Sequence, residues 1–391
     1  MKRLSEAQRR YLIYRGRKVI RKRTRENAKK ARLKLGSSEL LYQNFLKKVS
    51  LYRDGKFEQG FSLSGALEVP EVLSFSENYN QTATFLQDVR GRLALSWKMR
   101  FHNKQKFKRA VLQTKMSGVG HYYDFTKIKN ISIPVALVLA SEYDCVRRDH
   151  TAVPRAVDYE NWNPQVRMML DGIGFLEMAG INSSGPAFLE GDNLRILRFR
   201  SGSEADGELV DLLLRQLGVP EALEDTAIYD AIIEALVNTR HHAYPKGLEF
   251  PRPHFPGWWL TALVDKRDRR VVISVFDRGL GIPATLVDWD RYDVFERGWR
   301  RLFQEAPNPE DTRNDGTAIR VAMAVGRSST GQAHRGKGLP SMEAALDLCR
   351  DGSITIYSRC GAYKRAKGAR AHTLNLNAPV GGTLISWDLG F

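Results

Sequence analysis

The sequence predicts an α+β protein: a C-terminal two-layer α/β sandwich, preceded by a small α/β domain and a basic N-terminal helical arm. Two patterns carry the sandwich. Residues 225–245 repeat apolar side chains at helical spacing, and residues 258–264, 270–276, 352–358 and 382–389 form short branched runs bounded by turn residues. The placement of charge sets the arm apart. From Met1 to Gly36 fifteen Lys or Arg face only Glu6 and Glu26, a net +13, which leaves +4 of the chain's +17 for everything else. A chain of 391 residues exceeds one ordinary core, and roughly 150 residues per domain predicts two or three. The expected divisions are 1–55 (arm and linker), 56–200 (small α/β domain) and 205–391 (sandwich).

The arm has few apolar residues and no proline, which permits a solvated helix but gives it little core to join. Such a segment attracts nucleic acid or another polyanion through counterion release, meets an acidic membrane or protein surface, or serves as a soluble tail. Residues 52–65, "YRDGKFEQGFSLSG", read as a linker or an edge hairpin. Next, "ISIPVALVLAS" (131–141) has the branched apolar character of a buried strand, preceded by "YYDFTKI" (122–128). Val166, Met169, Leu170 and Ile173 then repeat at helical spacing up to Gly174. "SGSEADGE" (201–208) is polar and turn-rich, a boundary. The following helix has Asp225 or Thr226 as N-cap and a stop near Pro245. The runs 258–264 and 270–276 flank "DKRDR" as a β-hairpin, and 352–358 and 382–389 add two strands.

No apolar run approaches the roughly 18 to 20 residues of a membrane span, and the N-terminus carries charge where a signal peptide needs an apolar stretch. A cytoplasmic protein is expected. Cys145, Cys349 and Cys360 match no zinc or redox spacing and read as reduced core thiols.

The helix holds the first candidate site. In "EALVNTRHHAY" (234–244), Glu234, Asn238 and His242 fall at i, i+4 and i+8, along one side: either a solvated face or a face turned to a ligand. The second hairpin strand runs into "DRGLGIP", with Asp277, Gly279 and Gly281. This is either a plain turn or a carboxylate and two glycines that let backbone approach a flat ligand. Gly336, Lys337, Gly338 and Leu339 precede a helix start, an arrangement suited to phosphate and equally to an ordinary helix beginning. Gly382 and Thr383 open the last strand. Trp258 and Trp259 read as sheet packing, and His241 as an ordinary residue.

In this order the four motifs resemble the ATP-binding domain shared by gyrase, Hsp90, histidine kinases and MutL (the GHKL superfamily), over about residues 205 to 391. "EALVNTRHHAY" is most similar to the anti-sigma-factor serine kinases and some histidine kinases. The resemblance implies a Bergerat-type fold with ATP and Mg²⁺ as cofactors. It implies Asn238 on the metal, Glu234 positioning or deprotonating the nucleophile, and His242 further along the phosphates. Asp277 would accept from the adenine amino group with Thr383 in support. Gly279, Gly281, Gly336, Lys337, Gly338 and Leu339 would border the nucleotide, and the stretch from about Ile282 to Arg335 would be a lid. An ATPase or protein kinase is expected, with a protein partner or a homodimer. The alternative is a conformational ATPase whose nucleotide state gates dimerisation or nucleic-acid engagement through the arm, or a scaffold with negligible turnover. "YYDFTKIKNISIPVALVLAS" resembles a STAS domain, with Ile133 and Pro134 where that family has serines, which implies docking or oligomerisation rather than phosphoacceptance.

Overall fold

A computed structural model of the chain describes residues 22, 26, 69–102, 122–148, 155–157, 159–179, 181, 188–190, 193–218, 226–250, 253–327 and 338–391. The 52–65 linker and all of the arm except Lys22 and Glu26 lie outside these residues; those two are helical and exposed. The protein is mixed α/β and is organised by one large antiparallel sheet.

The described residues contain β1 (Val72–Leu73), α1 (Tyr79–His102), β2 (Tyr122–Asp124), β3 (Asn130–Ile131), α2 (Ile133–Arg148), β4 (Arg155–Val157), α3 (Pro164–Gly172), α4 (Phe175–Met178), β5 (Phe188–Glu190), β6 (Leu194–Leu197) and β7 (Arg200–Gly202). They continue with α5 (Gly207–Leu217), α6 (Thr226–Asn238), β8 (Trp258–Asp265), β9 (Arg270–Asp277), α7 (Ile282–Thr285), α8 (Tyr292–Phe303), α9 (Asp315–Arg327), α10 (Gly338–Ser341) and α11 (Ala345–Leu348). Four strands close the chain: β10 (Gly352–Ser358), β11 (Gly361–Ala366), β12 (His372–Asn375) and β13 (Thr383–Gly390). The sheet order is β12-β11-β10-β13-β9-β8-β6-β5, with β7 also on β8.

Alternation of side chains along the strands buries both faces of this sheet. Trp258, Leu260, Ala262 and Val264 of β8 pack on the side of α5 and α6, together with Ile385 and Trp387 of β13. Trp259 and Leu263 point the other way, with Phe276 and Leu384, into a core built by α1, α2 and α3. The expected two-layer sandwich therefore carries a third layer, supplied by the middle of the chain. The expected boundary at 200–205 does not separate sheets, because β6 pairs Leu194–Ile196 with Asp265–Leu263 while β7 pairs Arg200–Gly202 with Leu260–Trp258.

Residues 131–141, expected as a strand, are instead mostly the first part of α2. A short apolar run fits either element, and this one is apolar all round because it is enclosed all round. Val135, Leu137, Val138 and Leu139 are fully buried between the sheet and the neighbouring helices. Pro134 sits in the first turn, where its missing N–H is harmless, and the Ala136 amide donates to the Ser132 carbonyl at 2.9 Å. Helix α3 begins where Asn163 Oδ1 caps the Gln165 amide at 2.9 Å and ends at Gly172, two residues before Gly174, whose φ is +87°.

The tryptophans at the sheet are packing residues with satisfied indole N–H groups. Trp258 Nε1 donates to the Glu204 carbonyl at 2.9 Å and Trp259 Nε1 to Asp144 Oδ2 at 3.0 Å. All three cysteines are buried free thiols.

Candidate functional site

The strand register brings the site together. Asp277, the last residue of β9, lies opposite Trp258 on β8 and Thr383 on β13, so the "DRGLGIP" and "GGT" motifs become neighbours at one end of the sheet. Above that end stands α6. Ala235, Asn238, Thr239 and His242, with Asp277 and Thr383, border one cavity of about 110 Å³ whose remaining wall is largely apolar, including Ile282, Leu286, Met342 and Ile385.

Past Asn238 the helix widens into a five-residue π-turn, Thr239–Ala243. A π-turn bonds i to i+5 and displaces the following side chains from the α-helical column. The straight i, i+4, i+8 line therefore ends at Asn238. Thr239 and Ala243 join Asn238 and His242 at the cavity, an arrangement that α-helical spacing does not foresee.

Glu234 does not border the cavity itself. It is half-buried one turn back, where its Oε1 and its carbonyl each accept from Asn238 Nδ2 at 2.9 Å. Both donors of the Asn238 amide are thus spent on Glu234, which turns the Asn238 carbonyl oxygen away from it. Burial raises the pKa of Glu234, against the Asn238 hydrogen bond and His241. His242 moves the opposite way: burial and then His241 push its pKa down, keeping the imidazole neutral to lower pH.

Asp277 is 6% exposed, and burial pushes its pKa up to about 7 despite hydrogen bonds from the Gly279 and Thr383 amides and the Thr239 hydroxyl. The Gly279 amide donates to Asp277 Oδ1 at 2.8 Å. Thr383 Oγ1 lies 3.0 Å from Ser358 Oγ, which accepts from the Ile282 amide at 2.8 Å. This chain of hydroxyls and amides fixes the floor of the cavity.

The glycines divide. Gly281 borders the cavity and has φ +86°, a left-handed conformation that side chains disfavour. Gly279 serves packing instead: a Cβ there would stand 2.5 Å from both Ala243 Cβ and Ala243 O, and the Leu280 amide donates to that carbonyl at 3.0 Å. Its close approach in the structure is to the π-turn. Leu339 borders the cavity, and Gly338 opens a helix of only four residues. Gly336 and Lys337 lie outside the described residues.

The expected lid runs from about Ile282 to Arg335. As far as residue 327 it is a packed helical unit with its own core, in which Val287, Phe295, Trp299 and Ala322 are buried. Residues 328–337 lie outside the described residues. This unit brings two bordering residues that no motif announced, Trp289 and the cation Arg291, whose Nη1 reaches the Val325 carbonyl at 3.5 Å.

Immediately after Asp277, Arg278 enters the opposite layer. Its Nη2 lies 3.3 Å from Glu142 Oε2 of α2, and Arg90 of α1 donates through Nε to Glu142 Oε1 at 2.8 Å and again through Nη2. Glu142 is 2% exposed; burial raises its pKa, but Arg278 and Arg90 outweigh that and hold it below the ordinary value.

The raised pKa of Asp277 makes stability depend on pH in a defined sense. Between 3.8 and about 7 the unfolded carboxyl has lost its proton while the folded one keeps it. Stability from this group is therefore lost as pH rises through that window, and is constant above it. The melting temperature of the wild type relative to Asp277→Asn should fall between those pH values and then level off. A difference independent of pH would contradict the buried carboxyl.

No protein-family model, curated protein or solved structure matches the chain.

Proposed function

We propose that the cavity between α6 and the ends of β9 and β13 is an ATP·Mg²⁺ site of the Bergerat type, in a GHKL-like protein that transfers the γ-phosphate to water or to a serine of a partner. One observation carries the reading. A buried carboxyl, Asp277, lies on the floor of a cavity whose wall is largely apolar, and a helix bearing Asn238 and Glu234 stands at its side. An adenine ring matches this combination: a flat apolar body with an amino edge to donate to one carboxylate.

The donor set fits magnesium. Among the described residues no group of three or more His, Cys, Asp or Glu could hold a metal by itself. Mg²⁺ characteristically takes one or two protein oxygens, substrate phosphates and waters rather than a protein cage. Asn238 Oδ1 is the oxygen proposed to hold it, and when bound the ion would offset phosphate charge. Glu234 holds the Asn238 amide one turn back from the cavity, and burial raises its pKa, which favours a proton-accepting role toward a nucleophile. His242 and Arg291 supply imidazole and guanidinium groups at the same cavity for the phosphates.

The contact from Arg278 to Glu142 favours a second reading, a conformational ATPase in which nucleotide at Asp277 biases the layer formed by α1 and α2. The polyanion affinity expected of residues 1–36 belongs to that reading. For residues 56–200 we propose docking or oligomerisation rather than phosphoacceptance, since Ile133 and Pro134 open α2 where the resembled family has serines. The destination of labelled γ-phosphate separates water from protein acceptors.

The adenine assignment has its own test. Asp277→Asn replaces the acceptor by an amide and should weaken ATP binding by about 5- to 150-fold, the effect of one mismatched buried hydrogen bond at roughly 1 to 3 kcal/mol. Calorimetric titration of ATP with Mg²⁺ measures this. Unchanged affinity in a folded variant removes Asp277 from the site.

A further inference from the structure

A second concavity lies on the helical unit, lined by residues distinct from those of the first cavity. It has a volume of about 980 Å³ and runs between α8, α9 and the turn after β11. Its character is mixed. Val321, Val325 and the alanines of α9 and the turn provide an apolar base, and Arg297, Arg301, Arg320 and Arg370 stand around it.

Three features distinguish this groove from a merely solvated surface. Arg300 and Arg365 nearby are paired with Glu296 and Glu343. Arg297, Arg301, Arg320 and Arg370 have no ion pair among the described residues. Four exposed cations left unpaired around one concavity repel each other, a cost that an anionic partner removes. Secondly, two of the four large apolar side chains exposed among the described residues border the groove: Val294, 38% exposed, and Leu302, 52% exposed. Thirdly, Val294, Arg297, Gly298, Arg301 and Leu302 recur at i, i+3, i+4, i+7 and i+8 along α8, so apolar and cationic groups share one helix face over roughly 12 Å.

We propose that this groove docks an acidic amphipathic segment of a protein partner, two to three helical turns long. Its apolar residues would enter between Leu302 and Val321, while its carboxylates meet Arg297, Arg301, Arg320 and Arg370. Arginine is the suitable cation, because its planar guanidinium takes a carboxylate through two parallel hydrogen bonds. The chemistry favours a peptide over nucleic acid. Among the described residues no aromatic side chain borders the groove to stack a base, and a duplex reaching the arginines through its phosphates would leave the apolar base uncovered. The proposal is independent of the nucleotide reading.

The test uses the full chain and a fluorescent synthetic helical peptide with Leu at i, i+3, i+4 and i+7 and Glu at the other positions. A scrambled peptide of the same composition and a duplex DNA oligomer serve as comparison probes, and anisotropy gives the affinities. Because the arm's net +13 is expected to attract polyanions in general, the informative quantity is the change on R297E/R301E, which alters two exposed residues and should leave the fold intact. The variant should bind the patterned peptide at least about tenfold more weakly, with a smaller loss for the scrambled peptide and for DNA. Equal loss for both peptides reduces the groove to a patch of charge and overturns the proposal. Unchanged peptide affinity overturns it as well, and a loss confined to DNA does so in favour of nucleic acid.

Discussion

Glu234→Gln should leave ATP·Mg²⁺ bound and slow γ-phosphate transfer by about 10² to 10⁴, the usual contribution of a positioned general base. Gln is the informative replacement because of a contact within the helix. Glu234 Oε1 accepts from Asn238 Nδ2 at 2.9 Å, and the amide oxygen of Gln preserves that bond while removing the base. Glu234→Ala would do two things at once: delete the base and release the Asn238 amide. Asn238→Ala should differ in kind, abolishing the magnesium-dependent part of nucleotide binding together with turnover. Binding calorimetry beside a phosphate-release or phosphotransfer assay separates the two. Wild-type turnover by Glu234→Gln excludes Glu234 as the base.

Glu142→Ala should destabilise the fold by about 3 to 5 kcal/mol, the range for removing one partner of a buried ion pair. The magnitude follows from what remains. Arg278, with its side chain 8% exposed, loses a carboxylate at 3.3 Å, and Arg90 loses its hydrogen bonds to the same group. Glu142→Gln keeps acceptor geometry without charge and should fall between wild type and Ala. Because Arg278 follows Asp277 directly, Glu142→Ala should also weaken nucleotide binding in whatever fraction stays folded. Denaturant titration gives the stability, and a loss below about 1 kcal/mol, typical of exposed pairs, would contradict the buried network.

The hairpin of β8 and β9, strands β10 and β13 and helix α6 were legible in the sequence because each is governed by local pattern. Their branched or periodic apolar runs end at turn residues, and the observed bounds lie within a residue or two of the expected strands. The placement of Asp277, Thr383 and Asn238 at one site was implied by the family resemblance rather than by any spacing rule, and strand register makes Asp277 and Thr383 neighbours. What escaped depends on contacts distant in sequence. Residues 133–148 are helical because the sheet, α1 and α3 enclose them, and nothing within the run itself distinguishes a buried strand from a buried helix. The link from Arg90 to Glu142 spans 52 residues, and that from Tyr79 to the Ala378 carbonyl spans 299. No spacing rule reaches that far. The π-turn after Asn238 and the contact of Gly279 with Ala243 are one event seen from two sides, since the widened turn is where the loop after β9 packs. Strand β11, between β12 and β10, carries Lys364 and Arg365 and lacks the alternation that marks a half-buried strand.

The most direct measurement of the nucleotide reading is a crystal structure of the full chain with Mg²⁺ and a non-hydrolysable ATP analogue. The purine should lie in the cavity with its exocyclic amine about 3 Å from an Asp277 carboxylate oxygen, and the metal on Asn238 Oδ1. Analogue density elsewhere, including the arginine groove of α8 and α9, or an empty cavity at saturating analogue, would contradict it.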